Sequence, residues 1–166
     1  YTLDASNGGI FISQVDGFGN FISAQQIAGS QGYSCFDSSY NLYITGNLNS
    51  IGDFDPGPST YTLNGSNGGF FICKLDLLGN FIWAQQMGVS FPNGAPTAIV
   101  ADISGVYTAG YFQTSGDFDS GPGVLTFTSL GGYDSYISKL DPLGNFLWAQ
   151  QIGGVTGEII WGLAVD

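Results

Sequence analysis

The 166-residue chain has no histidine and no arginine; its basic residues are Lys74 and Lys139, set against 13 acidic ones for a net charge of −11. Without histidine there is no Ser–His or Cys–His pair, and the commonest general base is missing. Transition-metal sites lose their usual imidazole ligand. So little positive charge excludes nucleic acid, whose binding rests on Lys and Arg neutralising phosphates. It also leaves no basic patch to hold an anionic membrane. The two cysteines, Cys35 and Cys73, are too few for a disulfide framework or a zinc site. They read as small buried hydrophobes, with a single disulfide as the other reading. No apolar run approaches the ~20 residues of a membrane-spanning helix. The opening residues, YTLDASNGG, carry no secretory leader and begin inside a repeat, as a piece of a larger mature protein would.

What is present points to a folded chain. Hydrophobic residues make up 43% and aromatics 15%, which is not the composition of a disordered segment despite 27 glycines. One stretch is written three times: QVDGFGNFISAQQIAG from Gln14, KLDLLGNFIWAQQMG from Lys74 and KLDPLGNFLWAQQIGG from Lys139. Its aspartates, Asp16, Asp76 and Asp141, stand 60 and 65 residues apart. A second marker, GDFDPGP at Gly52, recurs as GDFDSGP at Gly116, 64 residues on. A fixed period of this kind marks stacked units. The chain holds about 2.7 copies: the end of a first unit (1–33), a second (34–96), a third (97–160) and the start of a fourth (161–166).

Each unit reads as strands. Gly, Asn, Asp, Ser and Pro interrupt the chain about every eight to twelve residues, the spacing of an all-β fold. In the best-written copy four strands are expected at 97–102, 105–112, 133–141 and 145–152. An insert between the second and third holds the GDFDxGP turn and a short run, at 61–64 or 125–128, that adds a strand or an outer hairpin. In DPLGN, Asp141 supplies the side-chain acceptor of a type I turn, Pro142 presets the next φ, and Gly144 takes the left-handed position. Asp76/Gly79 and Asp16/Gly19 repeat the arrangement, so these residues are backbone devices. In the following strand, simple alternation points Phe146, Trp148, Gln150 and Ile152 one way and Leu147, Ala149 and Gln151 the other. Its first half is apolar on both faces, as in a sheet covered on both sides. Four-stranded antiparallel sheets stacked radially, the blades of a β-propeller, are covered in this way. The Gln pair then lies toward the solvated end or bonds between neighbouring blades.

The order IVAD, GVYTAGYF and GGYDSYISKLDPLGNFLWAQQIGG resembles the SBBP-type bacterial β-propeller repeat over essentially the whole chain. The DFDPGP insert is similar to that of a variant found in large secreted proteins of Bacteroidetes-type bacteria. Ser23 in place of the repeat's Trp, and SCFDSSYNLYITG at 34–46, depart from the pattern. The resemblance implies an extracellular or surface-attached bacterial protein built from many repeats.

Catalytic chemistry is poorly supplied. The only glutamate is Glu158, nearly all aspartates sit at recurring turn positions, and no enzyme is expected. A carboxylate pair of the glycosidase type is the one hydrolytic alternative. The best-supplied ligand chemistry is that of a hard cation. Asp53 and Asp55, and again Asp117 and Asp119, offer two carboxylates two residues apart and then a glycine for a sharp turn, a fragment of a calcium loop. The competing reading has these aspartates capping Asx-type turns while Phe54 and Phe118 plug the unit. The Gly–Gly pairs at 8–9, 68–69 and 131–132 are no phosphate cradle, since no helix follows them. Tyr33, Tyr111 and Tyr133 could stack on sugars, although packing is the commoner use of such rings. The leading expectation is a structural or interaction module, packed with the rest of a longer chain or with copies of itself in a ring or filament. The alternative is a glycan-binding, adhesin-like module. Filled calcium loops predict that a chelator lowers the melting temperature, because a ligand bound only by the folded state stabilises it. An unchanged melting curve leaves the Asx-turn reading.

Overall fold

A computed structural model of the chain describes residues 9–89 and 94–166. The fold is all-β, and its strands pair antiparallel throughout. A first unit contributes β1 (Ile10–Val15) and β2 (Phe21–Ile27). The second contributes β3 (Ser30–Phe36), β4 (Leu42–Asn47), β5 (Ile51–Asp53), β6 (Thr62–Asn64), β7 (Phe70–Leu75) and β8 (Phe81–Val89). The third repeats that order as β9 (Gly94–Asp102), β10 (Gly105–Phe112), β11 (Ser115–Asp117), β12 (Thr126–Thr128), β13 (Asp134–Leu140) and β14 (Phe146–Ile152). The strands at 3–4–7–8 and 9–10–13–14 form matching antiparallel meanders, and among the described residues no sheet closes into a barrel. β3 is the least regular: its pairing with β4 skips between Ser30 and Tyr33, and Gln31 has φ 55°.

The turn that joins the last two strands of each unit is the same structure three times. Asp16, Asp76 and Asp141 each accept, at Oδ1, the backbone N–H groups two and four residues on. At Oδ2 each accepts the amide of the asparagine four residues on, Asn20, Asn80 or Asn145, at 2.8 Å. Gly19, Gly79 and Gly144 take φ 83°, 83° and 86°, a region that side chains with a Cβ resist. The turn is followed by a β-bulge, since Leu140 pairs with Phe146 but Lys139 pairs with Trp148. The second unit does the same with Leu75–Phe81 and Lys74–Trp83.

That bulge corrects the simple alternation. Neighbours Leu140 and Lys139 face opposite ways, so Phe146 and Trp148 do too, with Leu147 as the extra residue. Trp148, Gln150 and Ile152 therefore share one face, and Phe146, Ala149 and Gln151 the other. β14 is also more open than a strand covered on both sides, whereas β7 is buried along its whole length.

The core lies in two layers, between successive units. One face of the second unit (Ile44, Phe71, Cys73, Leu75, Ala84) packs with Ile10, Ile12 and Ile27 of the first. The other face (Tyr43, Phe70, Ile72, Trp83, Met87) packs with Ile99, Val106, Phe112, Tyr136 and Leu140 of the third. Both faces of the middle sheet thus leave water, each fully buried aliphatic or aromatic side chain contributing about 1.5–3 kcal/mol.

The inserts are hairpins, β5 with β6 and β11 with β12, and each reaches back to the unit before it. β11 pairs with the end of β8, Asp117 opposite Gly88, and so extends the second unit's sheet to six strands. The earlier hairpin does likewise where Ala28 N–H donates to the Asp53 carbonyl at 2.8 Å. The second glutamine of a pair bonds within its own unit: Gln86 donates to the Asn64 carbonyl and Gln151 to that of Thr128.

The turn glycines separate a backbone cost from a contact cost. A Cβ on Gly144 would stand 2.8 Å from the Trp83 ring, whereas one on Gly19 meets nothing within 4 Å. Gly19→Val should cost only the strain of positive φ, about 1–2 kcal/mol. Gly144→Val should cost that plus an overpacking term of about 1–3 kcal/mol. Urea melts of the two variants check the difference, and equal losses would show that the turn does not bear on Trp83.

Candidate functional site

Two clefts are each bordered by a DFD loop. One, of about 690 Å³, lies between Gln26–Gly29 and Ser50–Asp53 with Asp55, Pro56 and Gly57. The other, of about 440 Å³, lies among Asp119–Gly123, Gln85 and Gly144–Phe146. In the first loop Asp53 Oδ1 accepts the N–H of Asp55 at 3.0 Å and of Tyr61 at 2.9 Å, and Asp55 Oδ1 that of Gly57 at 2.8 Å. The second loop repeats this, Asp117 Oδ1 serving Asp119 and Leu125 and Asp119 Oδ1 serving Gly121. One oxygen of every candidate ligand is therefore engaged by main-chain donors, the pattern of nested Asx turns. Among the described residues no three His, Cys, Asp or Glu side chains gather in a metal-binding group. Phe54 and Phe118 between the aspartates are wholly buried, Phe54 on Phe71 at 4.6 Å and Phe118 on Phe112 at 4.8 Å. The loops anchor hairpins to the core through these rings.

A second recurring constellation was not singled out from the sequence. In the second unit Tyr43 donates to Asp37 Oδ2 at 3.4 Å, Lys74 Nζ lies 4.9 Å from the Tyr43 ring centre, and Trp83 meets that ring edge-on at 6.0 Å. The third unit matches it: Tyr107 on Asp102 at 3.2 Å, Lys139 over Tyr107 at 4.5 Å, Trp148 edge-on at 6.2 Å. Both lysines of the chain are spent here, each over a ring face, Lys74 3.9 Å from the Asp37 carboxylate and Lys139 donating to the Ser104 hydroxyl at 2.7 Å. The signal was available: each lysine precedes a tryptophan by nine residues. In the second unit the constellation is also a latch, because Lys74 Nζ and Trp83 Nε1 both donate to the Pro142 carbonyl of the third unit's turn, at 3.1 and 3.2 Å.

Reactive groups are few. Cys35 and Cys73 are free thiols. Cys35 pairs across to Tyr43 and Cys73 to the next residue, Ile44, which places them on opposite faces of one sheet and out of reach of a shared disulfide. Burial pushes the Cys35 thiol up to about 11 and the Cys73 thiol to about 12, so both are protonated and inert at neutral pH. The Glu158 carboxylate is tied up locally by Gly154 N–H at 2.8 Å and the Thr156 hydroxyl. Tyr111 and Tyr133 stand edge to face at 5.0 Å, while Tyr33 sits in another sheet on β3. Of the glycine pairs, Gly8 lies outside the described residues; Gly68 and Gly69 have φ 83° and 139° and lead into β7. No protein-family model matches the chain, and no curated protein matches it either.

The turn aspartates make stability depend on pH. The asparagine side chain on each of Asp16, Asp76 and Asp141 is the main cause that holds its carboxyl below the ordinary value. A lowered folded-state pKa stabilises the fold above the unfolded value, about 3.9, and that contribution is lost as pH falls through the folded value. Denaturant midpoints should therefore drop below about pH 4. Replacing all three by Asn, which keeps an acceptor but no charge, should flatten that drop. A variant with the same acid profile as the native chain would place the pH dependence elsewhere.

Proposed function

We propose that the chain is a run of SBBP-type β-propeller blades and serves as non-catalytic scaffold in an extracellular or cell-surface bacterial protein. The observation that carries this reading is the repeated junction. Successive antiparallel sheets pack face to face, and each later unit sends a DFD hairpin back onto the edge of the earlier one. Propellers stack four-stranded sheets around an axis, typically four to eight of them. The repeated polar residues support a scaffold rather than a catalyst, since their hydrogen bonds close turns and join units. The deficit of positive charge suits a soluble assembly that avoids nucleic acid.

Two measurements test the reading. Protease treatment of intact source cells should release fragments of this chain before cytosolic markers appear; release only after lysis would overturn the surface assignment. On a glycan array the purified chain should bind no sugar above background. A sugar retained by the chain and lost in Tyr33→Ala or Tyr133→Ala would replace the scaffold by an adhesin.

A further inference from the structure

The cleft of about 440 Å³ takes its walls from the second and third units, and hydrogen-bond acceptors surround one ring in it. Gln85 stands between Trp83 and Met87 on the second unit's face toward the third, and its side chain makes no hydrogen bond among the described residues. Asp119 Oδ1 serves Gly121, which leaves Oδ2 to face the cleft. Asn145 donates its amide to Asp141 and keeps its own Oδ1. Ser120 Oγ is shielded from water and has no partner among the described residues. Neither lysine lines this space; Phe146 supplies its ring. Three differences from the second unit's loop shape it, with Ser120 in place of Pro56, Gly123 of Ser59 and Leu125 of Tyr61. Tyr61 stacks on Phe81 at 4.7 Å, whereas Leu125 gives Phe146, the counterpart of Phe81, no such partner. A Cβ on Gly123 would run into Asp119 Oδ2, so the glycine keeps room beside that carboxylate.

We infer that this cleft binds a primary alkylammonium group, with Asp119 as counter-charge, Ser120 and Gln85 as acceptors and Phe146 as the ring beside it. The chain holds its own ammonium groups by the same chemistry. Lys74 Nζ lies over the Tyr43 ring, 3.9 Å from Asp37 Oδ2 and 3.1 Å from the Pro142 carbonyl oxygen. Lys139 Nζ lies over Tyr107 and donates to the Ser104 hydroxyl at 2.7 Å. Carboxylate, hydroxyl and ring recur in the cleft without a lysine of the chain to fill them. An ammonium group donates hydrogen bonds and accepts none, which suits a wall rich in acceptors. Its attraction to a ring adds to that, and the net charge of −11 concentrates cations near the surface. The apolar stem of a lysine or a diamine can lie along Phe146. Calcium fits worse, because one lining carboxylate falls far short of the roughly six to eight oxygens it takes.

Proton–nitrogen NMR spectra of the whole chain, titrated with n-butylammonium chloride, should move the Gln85 side-chain amide and the backbone amides of Ser120, Gly121 and Gly123. The uncharged 1-butanol, and calcium chloride, should leave those signals in place. Asp119→Asn keeps the acceptor for Gly121 but not the charge, and should weaken butylammonium binding about tenfold. Phe146→Leu should weaken it about threefold. Asp55→Asn, at the matching position of the second unit's loop, should change nothing. Cadaverine and Nα-acetyl-lysine amide separate the two sources of such a group. Tighter cadaverine binding assigns the cleft to a free diamine, and tighter binding of the lysine amide assigns it to a side chain of another protein. Signals unmoved by butylammonium, or moved equally by butanol or calcium, would overturn the inference. So would unchanged affinity in an Asp119→Asn chain whose spectrum shows it folded. Should that variant not fold, the comparison of butylammonium with butanol on the native chain still decides.

Discussion

Everything in this molecule follows from sheets that are apolar on both faces. A single antiparallel sheet with one wet face can stand against a helix layer or another sheet and stop there. The middle sheet cannot: Phe71, Leu75 and Ala84 on one side and Phe70, Trp83 and Met87 on the other all require a neighbour. Stacking is therefore a condition of the fold, and stability is shared between units instead of residing in any one of them. The turn aspartates Asp16, Asp76 and Asp141 are half-buried where water still reaches them, whereas Lys74 and Asp134 are buried within the stack.

The polar groups are arranged to serve that stack. A chain with −11 net charge lays both of its lysines over tyrosine rings, and in the second unit the same lysine crosses to the next turn. The DFD loops satisfy their aspartates with main-chain donors and bury the phenylalanine between them. A hairpin on the surface is thus pinned at its base by an aromatic ring and at its edge by the preceding strand.

The strands, the turns and the all-β class were legible in the sequence because their causes are local. Asp, Gly and Asn at fixed offsets specify a turn whatever surrounds it, and Asp141, Gly144 and Asn145 do so in the structure. The facing of β14 was not legible, since one bulged residue, Leu147, inverts the alternation and the bulge depends on pairing with β13. The hairpin's destination was likewise hidden, because Asp117 meets Gly88 through main-chain bonds that any residue could make. As for the site, the DFD aspartates were visible as a motif, but their hydrogen bonds are set by loop closure. The Asp–Tyr–Lys–Trp grouping is assembled from four strands or their ends, and only the lysine–tryptophan spacing betrays it.

The backward reach of the inserts has a consequence for biosynthesis. Residues 115–117 complete the edge of a sheet whose last strand ends at Val89, so a ribosome must make the next unit's first half before the earlier edge is closed. During synthesis each sheet carries an open edge until its successor emerges, and folding trails translation by about half a repeat. Chains are made N-terminus first, so an array of this design zips in one direction, with every unit sealed by the one that follows it.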